Sequence, residues 1–283
     1  MWPNQEVRKV APELDPLRRG MGWQDEDMEK MSVLVESTFG DSHPGSAHLD
    51  QLVQEVVQSV EDAGGKASRF FATDICDGMA QGHDGMNYSL VSREIIADLI
   101  EIHGSATPFD AGVFIASCDK GLPAQLIGMA RLNLPSLVVP GGVMRAGPDA
   151  LTLEQIGFYS AQARQGTITE AELEQKKKDA CPSCGACSFI GTASTMQILT
   201  EALGLAMPGT ALIPIGEGML RQAAYDAGKQ SMHLRDLGIH FKDIVTLEAL
   251  ENAIVVHAAI SGSTNAVMHL MALAHALEIP LEP

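Results

Sequence analysis

The sequence predicts an α/β fold, a doubly wound and mostly parallel sheet with helices on both faces. Continuous apolar runs of strand length, such as AGVFIAS at 111–117, are typical of buried parallel strands. Runs of helical length lie between them, and this alternation is the pattern of a doubly wound sheet. The 283 residues are 46% hydrophobic, which is enough for one large domain or two ordinary ones.

Each element is predicted from its own pattern. LDQLVQEVVQSVEDA at 49–63 has apolar residues at helical spacing and ends at a Gly-Gly pair. The other predicted elements are a strand at 69–75, a helix at 89–104 capped by Ser89 or Ser92, the strand at 111–117, a helix at 122–133, a strand at 135–142, and helices at 167–180, 194–206, 247–260 and 266–277.

Two predicted strands end in similar residues, Cys76-Asp77-Gly78 and Cys118-Asp119-Lys120. In doubly wound sheets the working residues lie just beyond the carboxyl ends of the strands, so we expect the two sets to meet. A thiolate suits iron–sulfur or zinc, and a carboxylate suits Mg²⁺. A buried lysine beside them must be paired, shifted in pKa or modified. Spacing alone equally allows a buried cysteine followed by a surface Asp–Lys pair.

The segment CPSCGAC places Cys181, Cys184 and Cys187 three residues apart. The spacing matches the start of a bacterial ferredoxin motif, but the fourth cysteine and its proline are absent. No CxxC or HxxxH partner follows at zinc-ribbon or zinc-finger spacing. Metal or cluster binding and structural thiols both stay open on this spacing.

The polar break SGSTN contains Ser261, Ser263, Thr264 and Asn265 directly before a predicted helix. Free N–H groups and the helix dipole make such a position suitable for a carboxylate or phosphate. A simple helix cap explains the same residues. Neither a dinucleotide fingerprint nor a P-loop occurs in the sequence, so nucleotide binding has no support.

Composition narrows the partners and the compartment. A formal charge of −17 argues against nucleic acid as a partner. The first twenty residues are polar, and the apolar run at 253–277 is interrupted by histidines and SGSTN, so neither a signal peptide nor a membrane span is predicted. Five cysteines, an odd number, favour metal binding or reduced thiols in a cytoplasmic protein. We expect residues 1–30 to be an N-terminal extension and 31–283 the α/β domain.

Four segments together resemble the dihydroxy-acid and sugar-acid dehydratase family, which includes phosphogluconate dehydratase. They are DGMAQGHDGMNYSLVSREIIADLIE, ASCDKGLPAQLIGMARLNLPSLVVPGG, CPSCGACSFIGTASTMQILTEALGLAMPGTALIP and HAAISGSTNAVMHLMALAHAL, which follow the family's order over about residues 30–280. The resemblance implies a hydro-lyase with an iron–sulfur cluster (two-iron or four-iron) beside Mg²⁺.

The resemblance also implies roles for individual residues. Cys118 and Cys187 would ligate the cluster. Asp77, Asp119 and Lys120 would bind Mg²⁺, with Lys120 carbamylated so that it offers an anionic oxygen. Asp119 and Lys120 are therefore the expected catalytic residues, and the SGSTN residues would line the substrate site.

The third cluster ligand departs from the family pattern. Some relatives place a cysteine in the loop that reads HPGSAH here, at the position of Gly45. Cys76 and Cys184 are the two candidates to replace it, and Cys76 is favoured because it directly precedes Asp77.

The implied reaction removes water from a 2,3-dihydroxy acid to give a 2-oxo acid. The CDG and ASCDKGLPA segments look more like the sugar-acid (xylonate-type) branch, for which an aldonate would give a 2-keto-3-deoxy acid. Dihydroxy-acid dehydration in branched-chain amino-acid synthesis is one alternative, and an inactive cluster- or metal-binding module is another. Relatives are about twice as long and form dimers or tetramers. We therefore expect a homo-oligomer and a truncated chain that lacks the β-rich domain carrying the base.

Overall fold

A four-stranded, all-parallel sheet is the centre of the fold. The computed structural model describes residues 3–216 and 218–282. The strand order is β2-β1-β3-β4, with parallel pairing throughout. The strands are β1 (Ser32–Ser37), β2 (Lys66–Phe71), β3 (Ala111–Ala116) and β4 (Ser136–Pro140). The predicted fold class is confirmed.

The helices follow the strands in chain order. Short 3₁₀ turns at Asp25–Glu29, Asp84–Tyr88 and Pro148–Ala150 connect some of them. The helices are α1 (Pro3–Val10), α2 (Leu14–Gly20), α3 (Leu49–Asp62), α4 (Asp77–Ala80), α5 (Ser89–Ala106), α6 (Gly121–Leu132), α7 (Gln155–Arg164), α8 (Glu170–Asp179), α9 (Thr192–Ala202), α10 (Gly218–Leu237), α11 (Phe241–Ile244), α12 (Leu247–Ala259) and α13 (Asn265–Ala276).

Helices cover both faces of the sheet. Successive strand residues point to opposite faces, so Phe114 packs in one hydrophobic cluster while Val113 and Ile115 pack in the other. The first cluster contains side chains of α5, α6, α9, α12 and α13. The second contains side chains of α3 and α10. Because both faces are buried, the inner strands read as continuous apolar runs.

The central strand β1 is the main element that the sequence reading missed. Its sequence SVLVES is buried along its whole length, although it contains Glu36. A carboxylate inside an apolar run conceals the signal of a buried strand.

Helix α10 was missed as well. It is polar on one side, and Gly228 in its middle allows close approach to α3, since a Cβ there would lie 2.7 Å from Ser59 Oγ.

Two boundary predictions are wrong. Strand β2 ends at Phe71, so residues 72–75 form a loop before Cys76 instead of continuing the strand predicted at 69–75. Neither proposed serine caps α5: the helix starts at Ser89, and its N-cap residue, Tyr88, has no side-chain cap. The hydroxyl of Ser89 instead donates to Asp77 Oδ1 over 2.6 Å, and Ser92 donates to the carbonyl of Ser89.

Residues 3–30 contain two helices and a 3₁₀ turn that contact the amino ends of the strands. Asn4 N–H donates to Asp110 Oδ1, and Ser32 N–H donates to the other oxygen of the same carboxylate. Trp23 is buried beneath the guanidinium of Arg18. The boundary at residue 30 stays a prediction. In the described residues, no helix is long and apolar enough to cross a membrane.

Glu36 is a fully buried carboxyl group in the middle of the sheet. Burial raises its pKa to about 8, with a further contribution from the charge of Asp74, while hydrogen bonds from Gln125 and from Ala72 N–H act in the opposite direction. The folded state thus binds a proton that the unfolded state releases above its ordinary pKa. Stability from this group is present at low pH and is lost as pH rises toward 8.

We predict that Glu36→Gln flattens this pH dependence. The neutral amide needs no proton, and the unpartnered Oε1 of Gln125 offers it an acceptor. The gain in the free energy of unfolding should be on the order of 3 kcal/mol at pH 7 and smaller at pH 5. Urea unfolding at both pH values measures it, with exposed Glu251→Gln on α12 as control. An equal effect of Glu36→Gln at both pH values would contradict this origin.

Candidate active site

The chain reverses its winding direction between β1 and β3. The connection from β1 to β2 runs through α3 on one face, and the connection from β3 to β4 runs through α6 on the other. Crevices at the carboxyl ends of strands form at such switch points and bind ligands. The loops that follow β1, β2 and β3 meet there.

A cavity of about 590 Å³ opens at this point. Three of its lining residues are cysteines, and three are carboxylates. The described lining residues are Cys76, Asp77, Gly78, Gln81, Cys118, Asp119, Leu153, Glu154, Ile156, Gly157, Cys187, Phe189, Gly191, Thr192, Ala193 and Ser263. The cavity therefore joins thiol and carboxylate donors with an apolar wall.

Cys76 and Cys118 are hydrogen-bonded to each other, so the predicted meeting of the two strand ends is confirmed. The hydrogen bond from Cys118 is the main cause that lowers the pKa of Cys76 to about 6. The same bond and deep burial raise the pKa of Cys118.

The CPSCGAC run separates its three thiols. Cys187 lines the cavity, and burial raises its pKa to about 12. Cys181 is exposed. Cys184 is half-buried and is not among the described residues that line the cavity. Only Cys187 of this run therefore shares the cavity with Cys76 and Cys118.

Lys120 is buried between two carboxylates. Its Nζ lies 2.7 Å from Asp77 Oδ2 and 4.0 Å from Asp119 Oδ2. The other oxygen of Asp77 accepts the hydroxyl of Ser89. The ammonium group of Lys120 therefore occupies the position between the two carboxylates.

The carboxylate of Asp119 contacts the first turn of α9. Burial is the main cause that raises its pKa to about 6, and the charge of Asp77 adds to it. The charge of Lys120 and a hydrogen bond from Ala193 N–H act in the opposite direction. Because Ala193 lies in the first turn of α9, the carboxylate already uses part of the positive end of that helix.

The SGSTN segment folds onto the start of α9. The hydroxyls of Ser263 and Thr192 lie 2.8 Å apart, and Asn265 Nδ2 donates to Thr192. Ser263 N–H donates to Thr195 Oγ1. Ser263 lines the cavity, whereas Ser261, Thr264 and Asn265 are not among the described lining residues. Ser263 also accepts the N–H of Asn265, while the N-cap residue of α13, Thr264, has no side-chain cap.

The loop after β1 holds the cysteine-bearing segments together. His43 Nε2 lies 2.9 Å from Asp74 Oδ1, two residues before Cys76. Pro44 C=O accepts Gly185 N–H over 2.8 Å, two residues before Cys187. Gly45 C=O accepts the hydroxyl of Ser117, the neighbour of Cys118.

Sequence reasoning missed two parts of the cavity. Glu154 and its apolar neighbours come from the start of α7, a segment with no recognisable motif. Ser89 supports Asp77, but the sequence indicated only a helix cap. A contact between loops distant in sequence leaves no local signal.

Within the described residues, no three His, Cys, Asp or Glu side chains surround a single point in a way that could hold a metal ion. The thiols lie along a wall, and the two carboxylates flank a lysine.

Comparison with known proteins shows the family. The family model described as "Dihydroxy-acid/6-phosphogluconate dehydratase N-terminal" matches residues 30–283, and the chain belongs to this family. Dihydroxy-acid dehydratases from Dehalococcoides mccartyi and Halothermothrix orenii are 42% and 41% identical to it, over 92% and 93% of this chain and 48% of each relative. The chain spans about half the length of these relatives.

A further relative carries the same name, and one solved structure bears a slight likeness. The dihydroxy-acid dehydratase of Oleidesulfovibrio alaskensis is 42% identical over 89% of this chain and 46% of its own length. A periplasmic component of an ABC-type sugar transport system from Hahella chejuensis has a TM-score of 0.26 at 17% identity, over 89% of this chain and 95% of that chain. That score is too low to support an argument about the fold.

We predict that Gly45→Ala disturbs the cysteine site. A Cβ at this position would lie 2.8 Å from Cys118 Sγ and 3.1 Å from His43 Nδ1. Both neighbours are buried, so the free energy of unfolding should fall by about 1–3 kcal/mol. Gly157→Ala is the matched control, since its Cβ would meet nothing within 4 Å. Urea unfolding measures both variants, and an unchanged stability of Gly45→Ala would contradict the close packing.

Proposed function

We propose that this chain carries the cofactor site of a hydro-lyase that removes water from a 2,3-dihydroxy acid to give a 2-oxo acid. One observation carries the proposal: Cys76, Cys118 and Cys187 line the same cavity as Asp77 and Asp119. Soft thiolates and hard carboxylates side by side suit an iron–sulfur cluster next to Mg²⁺. The names of the relatives support the reaction class.

The thiols suit a cluster in particular. A cluster distributes its ligands over several iron atoms, so its cysteines need not surround one point. This agrees with thiols that share a cavity wall without forming a single-ion site. Cys76 is the third ligand in this proposal, because it lines the cavity beside Cys118 and Cys184 does not.

Charge supports carbamylation of Lys120 together with Mg²⁺ binding. Asp77 and Asp119 both lie beside the ammonium of Lys120, while Arg93 pairs with Glu94. A carbamate on Lys120 replaces one positive charge by one negative charge. That change of two units is compensated by one Mg²⁺, and it supplies the third oxygen ligand that the described carboxylates alone do not give.

The chain's own residues would bind and orient the acid. When bound, the cluster and Mg²⁺ would supply Lewis acidity toward the hydroxyl and carboxylate oxygens of the substrate. The hydroxyls of Thr192 and Ser263 face the same cavity and would donate to those oxygens. The first turn of α9 favours an anion there. Phe189 and Leu153 would keep water from the apolar side.

Substrate choice within this class is open to a direct test. The names of the relatives refer to a dihydroxy acid. The preference for a sugar acid, which the CDG and ASCDKGLPA segments suggested, stays a prediction.

We also propose a homo-oligomer in the cytoplasm. Exposed Val91, Ile95 and Ile102 along one face of α5 support association, and five free thiols suit a reducing compartment.

We predict that three cysteines control cofactor content. Cys118→Ser, Cys76→Ser and Cys187→Ser should each lower iron and sulfide per chain at least severalfold after anaerobic reconstitution, because each removes a ligand. Exposed Cys181→Ser is the control and should match wild type. A full loss of iron and sulfide in Cys184→Ser, with no loss in Cys76→Ser, would show that Cys184 and not Cys76 is the third ligand.

We predict turnover of 2,3-dihydroxy acids by the reconstituted full-length protein, since the catalytic base is expected in a further domain. Formation of a 2-oxo acid is measured with a branched 2,3-dihydroxy acid and with an aldonate. Lys120→Ala should abolish the activity, since it removes a group between both carboxylates. A cluster-loaded full-length protein without activity on either acid class would favour an inactive cluster-binding module.

A further inference from the structure

A buried arginine–histidine pair lies next to the Lys120 site. Arg93 of α5 approaches His269 of α13, with 2.9 Å between Arg93 Nη1 and His269 Nδ1. Both residues are buried, and His269 is only 1% exposed. Arg93 also pairs with Glu94. The guanidinium is therefore fixed in place by two partners.

The Arg93–His269 pair lies near Asp77 and Lys120, two of the residues proposed to bind Mg²⁺. Arg93 and Ser89 lie one helical turn apart on α5, which places them on the same helix face. Ser89 binds Asp77, and Asp77 binds Lys120. Burial is the main cause that lowers the pKa of His269, and the charges of Arg93 and Lys120 lower it further while that of Asp77 raises it.

The geometry fixes which nitrogen of His269 carries the hydrogen. A guanidinium can only donate, so Nδ1 must accept and the neutral ring carries its hydrogen on Nε2. That Nε2 is buried and has no hydrogen-bond partner. A buried donor without an acceptor is costly, which indicates that a further acceptor belongs beside it.

We propose that the missing acceptor is a carbamate oxygen on Lys120 and that His269 is the positioning residue that stabilises this modification. In the reaction, unprotonated Nζ of Lys120 forms a bond to the carbon of CO₂. One C=O electron pair moves to oxygen as the negative charge, and one N–H proton leaves to water. The inference rests on the metal site of the proposed function, but it concerns the modification and not the turnover.

The test measures the carbamate itself. The chain is incubated with ¹³C-bicarbonate and Mg²⁺, and carbamate per chain is quantified by ¹³C NMR; loss of the signal in Lys120→Ala assigns it to that residue. His269→Asn keeps an acceptor near Arg93 but removes the donor at the Nε2 position, so carbamate occupancy at limiting CO₂ should fall about tenfold. His269→Gln places an amide N–H near that position and should recover most of it.

His103→Asn is the control, because His103 is another histidine with an unpartnered buried Nδ1 and it stacks on Phe70 away from the cavity. Wild-type occupancy in folded His269→Asn would overturn the proposal, as would equal losses in the Asn and Gln variants. If His269→Asn does not fold, ¹⁵N-histidine NMR of the wild-type chain replaces it. The His269 Nε2–H resonance should move when bicarbonate and Mg²⁺ are added, and a fixed resonance would contradict the proposal.

The proposed function and the inference about His269 can be refuted independently of each other. Absence of carbamate in the wild type refutes the inference about His269, whereas the iron content of the cysteine variants and the 2-oxo acid assay do not depend on it. Conversely, if the chain is carbamylated but binds no iron on reconstitution, the inference about His269 stands and the hydro-lyase proposal is rejected.

Discussion

The packing of the loop after β1 is the constraint on which the site depends. Residues 43–45 contact the segments that carry Cys76, Cys118 and Cys187 through one side-chain pair and two backbone carbonyls. His48 extends this support by donating from Nε2 to Gly141 C=O, after β4. Burial lowers the pKa of His43, but the hydrogen bond and charge of Asp74 outweigh that effect and raise it. Polar groups within this loop thus hold three thiol segments that come from different parts of the sequence.

The sheet makes that packing possible. Parallel strands bring their carboxyl ends to one edge, and the change of winding direction between β1 and β3 leaves a crevice there. Gly45 lets the loop approach Cys118 closely because it has no side chain. On the opposite side of the crevice, α5 and α9 hold Asp77 and Asp119 through Ser89 and Ala193 N–H. Thiols and carboxylates then line one cavity with the chemistry of a cluster beside a hard cation.

The sequence alone predicted β3, β4 and α6, since each contains a long apolar run. It missed β1 because Glu36 interrupts the apolar run, and it extended β2 into a loop that contains the apolar residues Ala72 and Ile75. The meeting of Cys76 with Cys118 followed from strand topology and is confirmed. The roles of Ser89, Glu154 and His269 could not be predicted, because each depends on a contact between segments that lie far apart in the chain. The assignment of ligands still rests on chemistry and family resemblance.

The most direct test of the central claim is anaerobic reconstitution with iron and sulfide, followed by iron and sulfide analysis and the visible and EPR spectra. The account predicts a brown protein with stoichiometric iron and sulfide, and a colourless Cys118→Ser variant that remains folded. A wild-type chain that stays colourless and free of iron under the same conditions would contradict a cluster site in this cavity.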